Sequence, residues 1–181
     1  DWSSDCALPI FPTTILRLFP VYGPHQGYAS PYSGMLTEYA SRLLQGLPVR
    51  LFEDGYQQRD FVSVYDAARA FRLALESPGA AYETFNIGSG RPHTFRTVVD
   101  LLATITGREY LAPEIMGTAR VGDVRHCFAD ISRAREALGY EPKVSLEEGL
   151  LDLVAWVRGE IAGLQRPKLH LKTPASSRLH V

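Results

Sequence analysis

The sequence predicts an α/β layered fold whose parallel sheet is incomplete. Two observations predict the class: strand-like runs alternate with amphipathic helices, and the first run, Thr13–Phe19 (TTILRLF), is apolar and β-branched without sustained alternation, as in a strand covered on both faces. A third observation predicts the incompleteness. No strand, glycine-rich turn and helix precede Thr13, although most enzymes of this architecture begin that way.

The elements follow in order. After the first strand, Pro20, Gly23, Pro24, Gly27 and Pro31 break regular structure through Ser33. Leu36, Tyr39, Ala40, Leu43 and Leu44 then recur at helical spacing, with Gly46 at the expected stop. Val49–Phe52 and Phe61–Val64 read as short strands. Ala67, Ala70, Phe71, Ala74 and Leu75 repeat the helical spacing as far as Pro78-Gly79. Thr84–Ile87 is strand-like, and Val98, Leu101, Leu102 and Ile105 mark a helix that Gly107 ends. Ser145 with Glu148 three residues on forms a capping box, and Leu146, Leu150, Leu153, Val154, Val157 and Ile161 run down one face of a final helix.

Residues 12–165 are therefore expected to form the folded unit, with 166–181 a flexible polar tail. Residues 1–11 carry no helix or strand period and abut a well-patterned strand without a turn; they read as a non-native, adapter-derived scar, with native coding starting near Pro12.

Of 181 residues, 45% are hydrophobic and 22% charged, enough apolar material for a packed core and too little charge for a disordered chain. A net charge of -1 argues against a general polyanion binder, so no nucleic-acid partner is expected. Only Lys143, Lys168 and Lys172 are lysines, so most positive charge sits on arginine, the planar fork suited to bidentate phosphate contacts. Two cysteines, Cys6 and Cys127, lack C-x-x-C spacing and read as free thiols in a reducing compartment. With no apolar run long enough for a span and an acidic N-terminus, no membrane association is expected and the cytoplasm is the expected location.

No self-sufficient catalytic set is present: the sequence has no G-x-S-x-G, H-E-x-x-H, P-loop or Tyr-x-x-x-Lys. Gly88-Ser89-Gly90, between a strand and a helix, forms either a tight turn, the favoured reading, or a place where backbone N–H groups approach a phosphate. His126-Cys127 offers two adjacent donors without further ligands, so no metal site is expected.

Four segments stand out: LRLFPVYGPHQ (Leu16–Gln26), FEDGYQQRDFVSVYDAARA (Phe52–Ala70), FNIGSGRPHTF (Phe85–Phe95) and RVGDVRHCFADISRAREALGYEPKVSLEEGL (Arg120–Leu150). In this order and spacing they resemble the C-terminal half of extended short-chain dehydrogenases acting on nucleotide sugars, the NAD-dependent epimerase/dehydratase family. The likeness spans about Pro12–Gly159, and the wording is nearest to dTDP-L-rhamnose 4-epimerase-like and UDP-glucose 4-epimerase-like members. The fold it implies is the C-terminal part of a Rossmann-like α/β enzyme, an incomplete parallel sheet plus a small α/β substrate-binding region.

The resemblance also implies roles. Arg59 and Arg120 fall where the family places two arginines on the substrate diphosphate; for Arg59 the alternative is a salt bridge to a nearby carboxylate. Asp123 matches a position accepting ribose hydroxyls, or else caps a turn. Phe52 falls in the base pocket and Phe19 beside the nicotinamide end of the cofactor, with core packing the alternative for both. Cys127 matches a position bordering the sugar, or is an inert thiol. Asp66 is assigned an N-cap role. Pro20 stands where the family has a substrate-contacting asparagine; proline has no such amide, so the resemblance leaves ligand affinity open at this position.

The implied chemistry is oxidation of a dTDP- or UDP-sugar at C4 by bound NAD, a 4-keto intermediate and its re-reduction. A 4,6-dehydratase, a decarboxylase or a non-catalytic nucleotide-sugar binding module are the alternatives. The cofactor's glycine motif and the Tyr/Lys pair belong to the half not seen here, so the resemblance assigns no catalytic residue to this chain and implies that the chain alone is inactive. The last helical segments offer surface for a homodimer in the full-length protein.

Overall fold

The structure, a computed structural model, describes residues 12–26, 34–119 and 123–164. The expectations for residues 1–11 and for the tail from Arg166 lie outside the described residues.

The described elements are β1 (Ile15–Leu18), β2 (Val21–Tyr22), α1 (Met35–Leu44), β3 (Arg50–Leu51), β4 (Gln58–Asp60), β5 (Val62–Ser63), α2 (Val64–Glu76), β6 (Thr84–Ile87), β7 (Pro92–Thr94), α3 (Phe95–Thr106), β8 (Glu114–Ile115), β9 (His126–Cys127), α4 (Ser132–Leu138) and α5 (Leu146–Leu164). This is an α/β arrangement as expected, with β2, β4, β7, β8, β9 and α4 beyond those the periodicity predicts and Val64 opening α2 rather than ending a strand. Three parallel pairs, β1 with β6, β2 with β5 and β3 with β8, accompany one mixed sheet ordered β7-β4-β9. In that sheet β4 runs antiparallel to β7 and parallel to β9.

Two apolar cores result. In the first, Leu36, Ala40 and Leu43 of α1, Val98 and Leu102 of α3, and Leu150, Leu153 and Val157 of α5 meet around Phe61 and Phe95. The helical spacing selects these residues because positions three and four apart share a face. In the second, Phe85 and Ile87 of β6 pack with Ala70 of α2 and with Ala134, Leu138 and Tyr140 at and beyond α4.

The ends of the helices follow local chemistry. Gly46 and Gly107 take left-handed backbone at the close of α1 and α3. At the start of α5, Ser145 Oγ and N both donate to Glu148 Oε2 while Glu148 N donates back to Ser145 Oγ, the reciprocal pattern of a capping box. α5 then passes so close to Tyr22 that a Cβ on Gly149 would overlap the phenol.

Two expectations are corrected. β1 is half-buried at Ile15 and Leu16 and exposed at Arg17 and Leu18, rather than covered on both faces. Among the described residues it has one partner strand, β6, and its apolar composition exceeds what that single neighbour covers. Asp66 does not cap α2. Ser63 is the N-cap, its hydroxyl accepting Tyr65 N, whereas the buried Asp66 carboxylate accepts Lys143 N and Val144 N and pairs with Arg69 at 2.8 Å. The acid ties α2 to the approach to α5, a contact 77 residues away along the chain.

Among the described residues no helix is long and apolar enough to cross a membrane.

Candidate functional site

The site is built on β4, because its centre carries Arg59 between two partner strands. Register sets Arg59 beside His93 of β7 and Cys127 of β9, so the three side chains share one face of the sheet. The Arg59 guanidinium is fixed from several sides. Its Nη1 donates to the carbonyls of Gln58 at 2.8 Å and Arg125 at 3.1 Å, its carbon lies 5.6 Å from the Phe95 ring centroid, and its Nη2 donates to Asp123 Oδ1 at 2.5 Å. With its side chain only 9% exposed, such a charge demands an anionic partner. Asp123 is that partner, its own side chain 31% exposed.

A second arginine joins the walls of this region. Arg125 donates from Nη1 to Glu53 Oε2 at 2.5 Å and from Nη2 to Asp54 Oδ2 at 2.7 Å, while its carbonyl also accepts Gln58 N. The guanidinium holds the Asp54 carboxyl below its ordinary range, helped by the Tyr56 amide. Phe52 begins the same loop and is half-buried; its carbonyl accepts Gly55 N at 3.1 Å and Gln57 Nε2 at 3.0 Å. Gln57 is buried, and its Oε1 has no hydrogen-bond partner among the described residues.

The structure thus brings together Arg59, Asp123 and Cys127, and joins the Phe52 loop to them through Arg125. Phe19 is set apart: half-buried, it packs against the second core, and its N–H donates to the Ile87 carbonyl. Arg120 lies outside the described residues. Pro20 takes part through its backbone alone, its carbonyl accepting Val62 N at 3.0 Å.

Gly88-Ser89-Gly90 is resolved in favour of the tight turn. Gly90 has φ of 69°, and the amides of Ser89 and Gly90 both donate to the wholly buried Asp60 carboxylate, at 2.7 and 2.9 Å. The Ser89 hydroxyl and Ala129 N complete four donors to this acid. The Ser89 and Gly90 amides are thus spent on an internal anion.

Sequence reasoning missed Asp60, Gln57 and Arg125. For Asp60 a signal existed: consecutive Arg59 and Asp60 inside a strand must face opposite ways, and a carboxylate turned into the fold needs donors. For Gln57 and Arg125 nothing local signalled a partner, since their partners are set by strand pairing and loop approach.

Comparison with known proteins finds relatives of the chain. A model described as the NAD dependent epimerase/dehydratase family matches residues 8–88. A curated relative, dTDP-L-rhamnose 4-epimerase of Burkholderia thailandensis, is 38% identical over 152 residues, 83% of this chain and 41% of its own length. Among solved structures, the UDP-glucose 4-epimerase of Thermotoga maritima with UDP-glucose is 42% identical with a TM-score of 0.76, over 82% of this chain and 46% of that one. The UDP-glucuronic acid 4-epimerase of Bacillus cereus, in complex with UDP-glucuronic acid and NAD, is 30% identical with a TM-score of 0.75, over 83% and 46%. A dehydratase and a decarboxylase of nucleotide sugars are also among the relatives. The chain spans less than half the length of these proteins.

Proposed function

The chain belongs to the NAD-dependent epimerase/dehydratase family, and from that premise we propose that it forms the substrate-binding, C-terminal part of a nucleotide-sugar 4-epimerase. The observation that carries the reading is the Arg59 guanidinium: nearly buried, fixed by two carbonyls and a ring, and balanced by one carboxylate at the edge of solvent. A preorganised fork of this kind suits a diphosphate.

In this reading Arg59, joined by Arg120, binds the diphosphate. Asp123 accepts hydroxyls of the ribose, Phe52 lines the base pocket, and Cys127 leaves room beside the sugar. Phe19 borders the cofactor. NAD supplies acceptance and return of the hydride at C4 in such chemistry. The Ser89 and Gly90 amides of the 88–90 turn are held by Asp60, and the Tyr-x-x-x-Lys pair of such chemistry does not occur in the sequence. The chain alone is therefore expected to bind nucleotide sugar without converting it.

Titration of UDP-glucose and dTDP-glucose into the chain, alongside an epimerisation assay, tests both halves of the statement. Binding that Arg59→Ala abolishes, with no turnover, is the expected result. Turnover by the purified chain refutes the inactivity, and binding indifferent to Arg59→Ala refutes the site. A 4,6-dehydratase or decarboxylase is the second reading, favoured by relatives of those names; release of water or carbon dioxide by the full-length protein would select it.

A further inference from the structure

Arg59 has committed most of its donors. Nη1 is shared by two backbone carbonyls, which cannot leave without breaking the β4 and β9 pairing, and the ring of Phe95 covers one face. Nη2 is held by a side chain instead, and that side chain, Asp123, is the more exposed partner. An anion approaching Arg59 therefore meets a carboxylate already in place.

We infer that Asp123 is a specificity-determining residue that stands in for the diphosphate on Arg59 and is exchanged when ligand binds. The inference rests on the proposed substrate site. An incoming anion takes over Nη2, and the displaced carboxylate loses its charge-assisted hydrogen bond. Inorganic pyrophosphate leaves that carboxylate unpartnered beside a second anion, which is unfavourable twice over. A nucleoside diphosphate brings hydroxyl donors on the same molecule, so both members of the broken pair regain a partner. The pair thus selects ligands carrying an anion and neighbouring hydroxyls together, and rejects free phosphate compounds that Arg59 alone would accept.

Calorimetric titration of inorganic pyrophosphate and of UDP into the full chain, Asp123→Asn and Glu76→Gln at low ionic strength tests this. Asp123→Asn keeps shape and removes the competing charge; circular dichroism verifies the fold, with Asp123→Ala as the substitute if it fails. Glu76→Gln removes the same charge from an exposed pair with Arg72 on α2, outside the site. The expected result is that Asp123→Asn tightens pyrophosphate about tenfold, while UDP gains less, so discrimination collapses. Glu76→Gln is expected to change pyrophosphate by less than about threefold. Pyrophosphate affinity unchanged by Asp123→Asn, equal gains in both variants, or no pyrophosphate binding by any protein overturns the exchange. Failure of the unaltered chain to bind UDP while Asp123→Asn binds pyrophosphate upholds the exchange and overturns the nucleotide site.

Discussion

The carboxylate of Asp60 accepts the amide of Gly90 at 2.9 Å across 30 residues of sequence, and this contact decides what the glycine turn does. With Ser89 N, Ser89 Oγ and Ala129 N on the same carboxylate, strand β4, the 88–90 turn and the segment after β9 are gathered on one buried acid. Arg59 sits on β4 beside it, so the site inherits its rigidity from Asp60.

Asp60→Asn replaces one acceptor oxygen with an N–H group that faces donors. Stability is expected to fall by about 2–4 kcal/mol, read as a lower urea midpoint. A change under about 1 kcal/mol would show that the four donors find other partners.

Close approach of α5 to β2 depends on the missing side chain at Gly149. Gly149→Ala drives a methyl into the Tyr22 phenol and is expected to cost about 1–3 kcal/mol. Tyr22→Phe removes the hydroxyl and should recover part of that loss, a coupling that a double-mutant cycle on denaturation midpoints measures. Additive effects would contradict the contact.

The sequence assigns the cap of α2 to Asp66, but Ser63 holds that cap and Asp66 instead accepts Lys143 N and Val144 N. Ser63→Ala removes the N-cap and should cost about 1 kcal/mol. Asp66→Ala strands two backbone N–H groups and Arg69 and should cost about 3 kcal/mol. Comparison of the two variants by urea unfolding checks the order; equal losses would restore the capping role to Asp66.

His93 is held below its ordinary pKa, chiefly by burial, with Asp60 opposing and Arg91 adding to the depression. Its neutral form is thus favoured in the folded chain. The unfolded chain binds the extra proton first, so the stability that His93 supports is complete above about pH 6.5 and is lost as pH falls through the folded value. His93→Gln should flatten the decline in unfolding midpoint between pH 7.5 and 5.5. An identical decline in the variant would assign the effect to other groups.

The alternation of elements, the helical faces, the glycine stops and the Ser145 capping box were all legible, because each is written in residues three or four apart and depends on local geometry. The family wording was legible too, in four segments. Phe19, Phe52, Arg59 and Asp123 could be named from that wording, but their placement could not. Arg59 was open between a salt bridge and a ligand contact, and the fold gives it an aspartate 64 residues away.

By itself, the sequence determined the four longer helices, the strands at β1, β3 and β6, and which family the chain resembles, because those follow from short-range periodicity and from motif order, whereas β4, which carries Arg59, and the short strands β7, β8 and β9 leave no such period. Only the tertiary structure decided that Asp60 fills the glycine turn, that Asp66 bridges rather than caps, and that Asp123 closes on Arg59. Buried charges choose their partners by proximity after the chain has folded, and nothing in local spacing specifies a neighbour some 30 to 80 residues away.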